Sequence, residues 1–113
     1  MHINIREIAD ITIIDLVGNI KTNDDYTSFK KTIDDTIQDG RVKLILNFKS
    51  VHFINSSGLG RLILASKRAK ENGGSLKIVE LSADLQELFS FTRLDSKIDI
   101  FPTEEDAVES FST

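Results

Sequence analysis

The amino-acid sequence predicts an α/β layer fold: one mixed, mostly parallel β-sheet packed with about four α-helices, in the order β-β-α-β-α-β-α-β-α. Three observations carry this. Segments with strand-like apolar patterning alternate with segments whose apolar residues recur at helical spacing, and such alternation builds parallel strands joined by crossover helices. Only the short stretch around Ala9-Asp10 separates the first two strand-like segments, which favours an antiparallel hairpin. Val42 to Phe48 is nearly all apolar, the pattern of a central strand buried on both faces.

Ile3, Ile5 and Ile8 suggest a first strand with one buried face. Ile11 to Val17 is rich in β-branched residues and is stopped by Gly18. Tyr26, Phe29, Ile33 and Ile37 form one stripe on a predicted helix from Asp24 to Asp39. Thr22, Asn23 or Asp24 can cap its start and Gly40 can end it. After the central strand, Leu59, Leu62, Ile63 and Ala69 share a helical face, and Asn72-Gly73-Gly74 stops that helix. Leu76 to Leu81 predicts another strand. Ser82 then caps a short helix bearing Leu85, Leu88 and Phe89. Ile98 to Phe101 is the last strand. Thr103 caps a final helix that turns Ala107, Val108 and Phe111 inward, with Asp106 at capping-box spacing.

The chain has 113 residues, enough for one domain with its own core, and no linker or repeat divides it, so residues 1–113 are expected to form a single domain. Cysteine is absent, which removes disulfides and thiolate metal sites and fits a reducing cytoplasm. No apolar run approaches the roughly 20 residues needed to span a bilayer, so no membrane insertion is expected. The start Met1-His2-Ile3-Asn4-Ile5-Arg6-Glu7 lacks a signal-peptide layout and reads as the true beginning of a cytoplasmic protein. The formal net charge of −4 argues against nucleic acid as a direct ligand.

The residues offer little for catalysis. His2 and His52 are the only histidines, and neither has a second metal ligand at helical or hairpin spacing, so no metal site is expected. Ser56 lacks the glycine two places earlier that a nucleophile elbow requires. Gly58-Leu59-Gly60 lacks the third glycine of a dinucleotide fingerprint, because Ile63 stands there. Acid pairs such as Asp24-Asp25, Asp34-Asp35 and Glu104-Glu105 fall at helix starts or wet faces, where they complement the macrodipole. No catalytic residue and no cofactor is expected, and a hydrolase using Ser56 has no base placed to serve it.

The informative segment is Phe53-Ile54-Asn55-Ser56-Ser57-Gly58-Leu59-Gly60. An apolar strand end gives way to small polar residues just before a helical stripe. Asn55 and Ser56 are both good N-cap residues. The first helical N–H groups lack internal partners and, with the dipole, favour an anion there. A phosphate on Ser56 adds roughly −1.5 to −2 charges at a place the helix tolerates and a docked partner does not. The plainer alternative is that Ser56 and Ser57 only cap the helix and that Gly58 and Gly60 only allow close packing.

At this segment the chain resembles the STAS domain family of bacterial anti-sigma factor antagonists. Val51-His52-Phe53-Ile54-Asn55-Ser56-Ser57-Gly58-Leu59-Gly60 is similar to the family's apolar strand end followed by Asp-Ser-Ser-Gly-Leu-Gly. Leu16-Val17-Gly18, Asn72-Gly73-Gly74 and the Leu85, Leu88, Phe89, Leu94 stretch extend the resemblance over nearly the whole chain.

The resemblance implies a non-enzymatic regulator of sigma-factor-dependent transcription, with Ser56 as phosphoacceptor. The implied partners are an anti-sigma factor serine kinase of the GHKL type and a PP2C-type phosphatase. ATP and metal would belong to those partners. The partner-binding residues so implied are Asn55, Ser56, Ser57, Gly58, Leu59 and Arg61, with Asn19 and Lys21 in the loop after Gly18. Leu59 and Leu62 either join that surface or lie in the core.

This sequence departs from the family pattern at Asn55, where Asp is usual, and at Asn19 and Lys21, where acids are common. Arg61 replaces an apolar residue and either pairs with a phosphate or partner carboxylate or is simply solvated. These departures keep an alternative open: a STAS scaffold or accessory subunit of a signalling complex or transporter that does not phosphoswitch.

Overall fold

The computed structural model describes residues 1–112. Five strands form one sheet: β1 (His2–Ile8), β2 (Ile11–Val17), β3 (Lys43–Ser50), β4 (Ser75–Val79) and β5 (Asp99–Phe101). Four helices accompany them: α1 (Asn23–Gln38), α2 (Ser56–Glu71), α3 (Ala83–Phe91) and α4 (Glu104–Ser110), with a short 3-10 turn at Leu94–Ser96. The spatial strand order follows the chain, β1-β2-β3-β4-β5. β1 and β2 are antiparallel, and every later pair is parallel. The order of elements is the one the sequence predicts.

That simple order fixes the layers. Each crossover steps one strand further in the same direction, so right-handed connections put α1, α2 and α3 on one face. Strand alternation supplies them. Ile14 and Leu16 of β2, Leu44, Leu46 and Phe48 of β3, and Leu76 and Ile78 of β4 join Phe29, Ile33, Leu62 and Phe89 in the main core. Phe48 and Phe89 meet edge to face at 6.1 Å. The opposite residues, Ile13, Ile45 and Val79, form a smaller core under α4 with Ala107, Phe101 and Phe111.

Local signals set the boundaries. Thr22 caps α1 with Asp25 in a reciprocal capping box. Ser82 and Thr103 cap α3 and α4 through their hydroxyls. At the end of α2, Gly73 takes the left-handed conformation (φ +85°), and a Cβ on Gly74 would lie 1.9 Å from the Val42 carbonyl oxygen. β4 stops at Val79, two residues earlier than its apolar run, because Glu80 turns left-handed at φ 62°.

The first strand differs from expectation. Ile3 packs against the main core, but Ile5 and Ile8 are 53 % and 43 % exposed. β1 is the sheet's edge, outside the parallel strands that the crossover helices cover. A network on the α4 side holds this edge instead. The Arg6 guanidinium grips Asp15 at 2.6 and 2.7 Å and also pairs with Glu104 at the start of α4, which accepts from Asn47 Nδ2 at 2.7 Å.

Candidate docking site at the start of α2

Two loops zip together to build the site. The Gly18 N–H donates to the Ser50 carbonyl at 3.1 Å, the Ile20 N–H to Phe53 at 3.0 Å, and the Asn55 N–H back to Ile20 at 3.2 Å. Ile20 and Ile54 form a parallel bridge and are both buried. The polar residues beside them in the chain, Asn19, Lys21 and Asn55, are thereby carried to one end of the sheet, at the carboxyl ends of β2 and β3.

Asn55 is the hub. It is the N-cap of α2, and its Oδ1 accepts from the Gly58 N–H at 2.9 Å. The same oxygen accepts from the Tyr26 hydroxyl of α1 at 2.7 Å, and Asn55 Nδ2 donates to the Lys21 carbonyl at 3.2 Å. One amide therefore ties α2 to α1 and to the preceding loop. This gives a physical reason for Asn in place of the acid usual in the resemblance. A carboxylate here keeps both acceptor roles, but it faces the Lys21 carbonyl with an oxygen and nothing to donate.

Because Asn55 takes the cap, Ser56 becomes the first helical residue. Ser56 and Ser57 are exposed, and the Ser56 hydroxyl makes no hydrogen bond within the described residues. The first turn of α2 contains no acid. The two residues that follow are inward. Gly58 is buried, and a Cβ there would meet Ile54 Cγ1 at 2.6 Å and Ile20 Cγ2 at 3.0 Å. Leu59 is 8 % exposed and Leu62 fully buried, so both belong to the core. Gly58 and Leu59 shape the surface from below rather than offering side chains to a partner. Arg61 is half-buried, its guanidinium carbon 5.2 Å from the centroid of the Tyr26 ring, and is thus neither freely solvated nor ion-paired. Asn19 is half-buried and Lys21 exposed.

Three participants escape sequence reasoning. Tyr26 fits the helical stripe of α1 and reads as core, yet its hydroxyl reaches Asn55. Phe53 reads as an apolar strand end, yet it is 49 % exposed three residues before Ser56. Asp25 reads as one of several helix-start acids. Its carboxylate accepts from the N–H groups of Lys21 and Thr22, both at 3.0 Å. The Lys21 amide foremost holds its pKa down to about 2, against the opposing effect of burial. The Thr22-x-x-Asp25 spacing is the signal that identifies it.

These features define a class: a small α/β domain that presents a capped, acid-free helix start and an idle hydroxyl at one end of a mixed sheet. The chain belongs to the STAS domain family, whose model matches residues 2–107. It is 28 % identical over 109 residues to the anti-sigma-B factor antagonist of Bacillus subtilis, covering 96 % of this chain and 98 % of that protein. An anti-sigma factor antagonist from Mycobacterium paratuberculosis shares the fold with a TM-score of 0.87 at 18 % identity, over 99 % of this chain and 94 % of that one. So does the phosphorylated form of the Bacillus cell fate determinant SpoIIAA, with a TM-score of 0.72 at 21 % identity, over 97 % and 99 % of the two chains.

Proposed function

We propose that this protein is an anti-sigma factor antagonist that acts by partner switching, with Ser56 as its phosphorylation site. The observation that carries this is the exposed, unengaged hydroxyl of Ser56 on the first residue of α2. The amides of Ser56 and Ser57 have no partner within the described residues, so an oxyanion on Ser56 finds donors and the positive end of the helix dipole beneath it. The likeness to the Bacillus subtilis anti-sigma-B factor antagonist supports the antagonist role.

In this scheme the unmodified protein, in the cytoplasm, binds an anti-sigma factor that is also a GHKL-type serine kinase, and the sigma factor is freed. The kinase transfers the γ-phosphoryl group of ATP to Ser56 Oγ. The new Oγ–P bond replaces the bond to ADP, and the serine proton is lost. The dianion then repels the partner, while the fold beneath is undisturbed. A PP2C-type phosphatase hydrolyses the ester and returns serine and inorganic phosphate. The docking surface consists of Ser56, Ser57, Asn55, Arg61 and the neighbouring Asn19–Lys21 loop, with Phe53 as an exposed aromatic at its border.

The test is labelling by the cognate kinase with γ-labelled ATP. Wild type and Ser57→Ala should incorporate phosphate, and Ser56→Ala should not. Equal labelling of Ser56→Ala removes the site assignment. Recovery of an ABC-type ATPase instead of a kinase in a native pull-down favours the scaffold alternative.

A further inference from the structure

A groove of about 330 Å³ runs between α1 and α2, beyond the site just described. Phe29 and Ile33 of α1 and Ala65 of α2 lie at its floor, and Leu64, 57 % exposed, forms a wall. One exposed leucine is ordinary on any protein. Here it stands beside an apolar floor and makes a concavity, the shape that binds rather than merely protrudes.

The rim is cationic. Lys30, Arg61, Lys67 and Arg68 line the groove, and Glu71 is the only carboxylate that does so. Asp34 offsets part of this charge by pairing with Lys30 one turn away on α1 and with Arg68 across on α2. Arg61 rests on the Tyr26 ring, and Lys67 has no ion-pair partner among the described residues. The chain as a whole carries a formal charge of −4, so the groove reverses the sign of the molecule locally.

We propose that this groove docks an acidic amphipathic helix from a partner protein. Aliphatic side chains at i and i+4 enter between Ile33 and Leu64, and acidic residues on the flank meet Arg61, Lys67 and Arg68. The charge selects this occupant over a second copy of the chain, because a two-fold pairing through the groove sets one cationic rim against another. Arg61 lines the groove and also touches the Tyr26–Asn55 hub, so a partner lying along α2 reaches both surfaces. The proposal does not depend on phosphorylation of Ser56.

The test titrates the isotope-labelled full chain with a synthetic helical peptide bearing leucines at i, i+4 and i+7 and glutamates on both flanks, followed by NMR. Amide shifts should concentrate at Ile33, Leu64, Ala65 and Lys67, and affinity should fall several-fold between about 0.05 and 0.5 M salt. Lys67→Glu with Arg68→Glu should weaken binding by about tenfold or more and should confer binding of a lysine-flanked version of the peptide. Lys67→Glu alone, which leaves the Arg68–Asp34 pair intact, should show the same trend if the double variant folds poorly. Leu64→Glu should abolish binding with an unchanged circular dichroism spectrum. No saturable binding below about 1 mM, equal binding of the lysine-flanked peptide to wild type, or shifts centred elsewhere would each overturn the proposal. So would self-association of the free chain that Leu64→Glu abolishes, since that gives the groove to a second copy.

Discussion

Replacing Asn55 with Ala tests the architecture of the site at its hub. Three bonds are lost: the cap on the Gly58 amide, the acceptor for Tyr26, and the donor to the Lys21 carbonyl. Removing an Asn cap costs about 1 kcal/mol. Tyr26 is only 8 % exposed, so its stranded hydroxyl adds about 1 kcal/mol more. Lys21 is exposed, and water can replace the third bond at little cost. The expected total is about 2 kcal/mol, which at a urea m-value of about 2 kcal/mol/M lowers the midpoint by about 1 M with m unchanged. In a Tyr26→Phe background the same substitution should cost about 1 kcal/mol less, since that hydroxyl is already gone. Asn55→Asp keeps both acceptor roles, loses the Lys21 bond and gains a charge–dipole attraction of about 0.3–1 kcal/mol, so it should stay within about 1 kcal/mol of wild type. A loss below about 0.5 kcal/mol for Asn55→Ala, or strict additivity with Tyr26→Phe, would refute the hub.

Ser56→Asp should leave the unfolding free energy within about 1 kcal/mol of wild type, because an acid at a helix start is favourable, while weakening binding to the kinase proposed as its partner by about tenfold or more in calorimetry. Asp25 titrates lower in the folded state, near 2, than its ordinary 3.8, so the unfolded chain binds its proton first as pH falls. The stability it contributes is complete above about pH 4 and is lost as pH drops toward 2. A shift of that size corresponds to about 2 kcal/mol, and Asp25→Asn should flatten the acid limb of a stability–pH curve by that amount. An unchanged acid limb would mean that the Lys21 and Thr22 amides do not hold the carboxylate. Gly58→Ala gains about 1 kcal/mol in helix propensity but drives a methyl into Ile54, at a cost of about 1–3 kcal/mol. A net loss of about 1 kcal/mol in thermal or urea unfolding is expected, and a stabilised variant would show that the Ile20–Ile54 contact yields freely.

The features legible in sequence are those with local causes. Alternating apolar periods gave the element order, and hydroxyl residues before helical stripes gave the caps at Ser82 and Thr103. The position of Ser56 at the start of α2 was also legible, because small polar residues between two apolar patterns leave few other structures open. What was not legible depends on distant neighbours. Ile5 and Ile8 have the pattern of a buried face, but only topology reveals that β1 is the edge beyond the helical layer. Arg6 and Glu104 lie 98 positions apart and meet only because β1 and α4 converge on one face. The Tyr26 hydroxyl is hidden for a related reason: periodicity places the ring in the core and is silent about where the oxygen ends.

The geometry divides labour between two adjacent residues. Asn55 performs every local structural task at the start of α2, accepting from Gly58 and Tyr26 and donating to Lys21, so the neighbouring hydroxyl is left with none. A residue whose side chain holds nothing can be esterified without disturbing the protein beneath it, and the energetic consequence then falls on whatever docks above. Were Ser56 itself the cap, its modification would remove a helix-stabilising bond of about 1 kcal/mol and couple signalling to unfolding. With the cap one position earlier, on the Asn55 amide, the switch proposed for Ser56 would modify a side chain that carries no capping bond, so phosphorylation there would not cost the helix its cap.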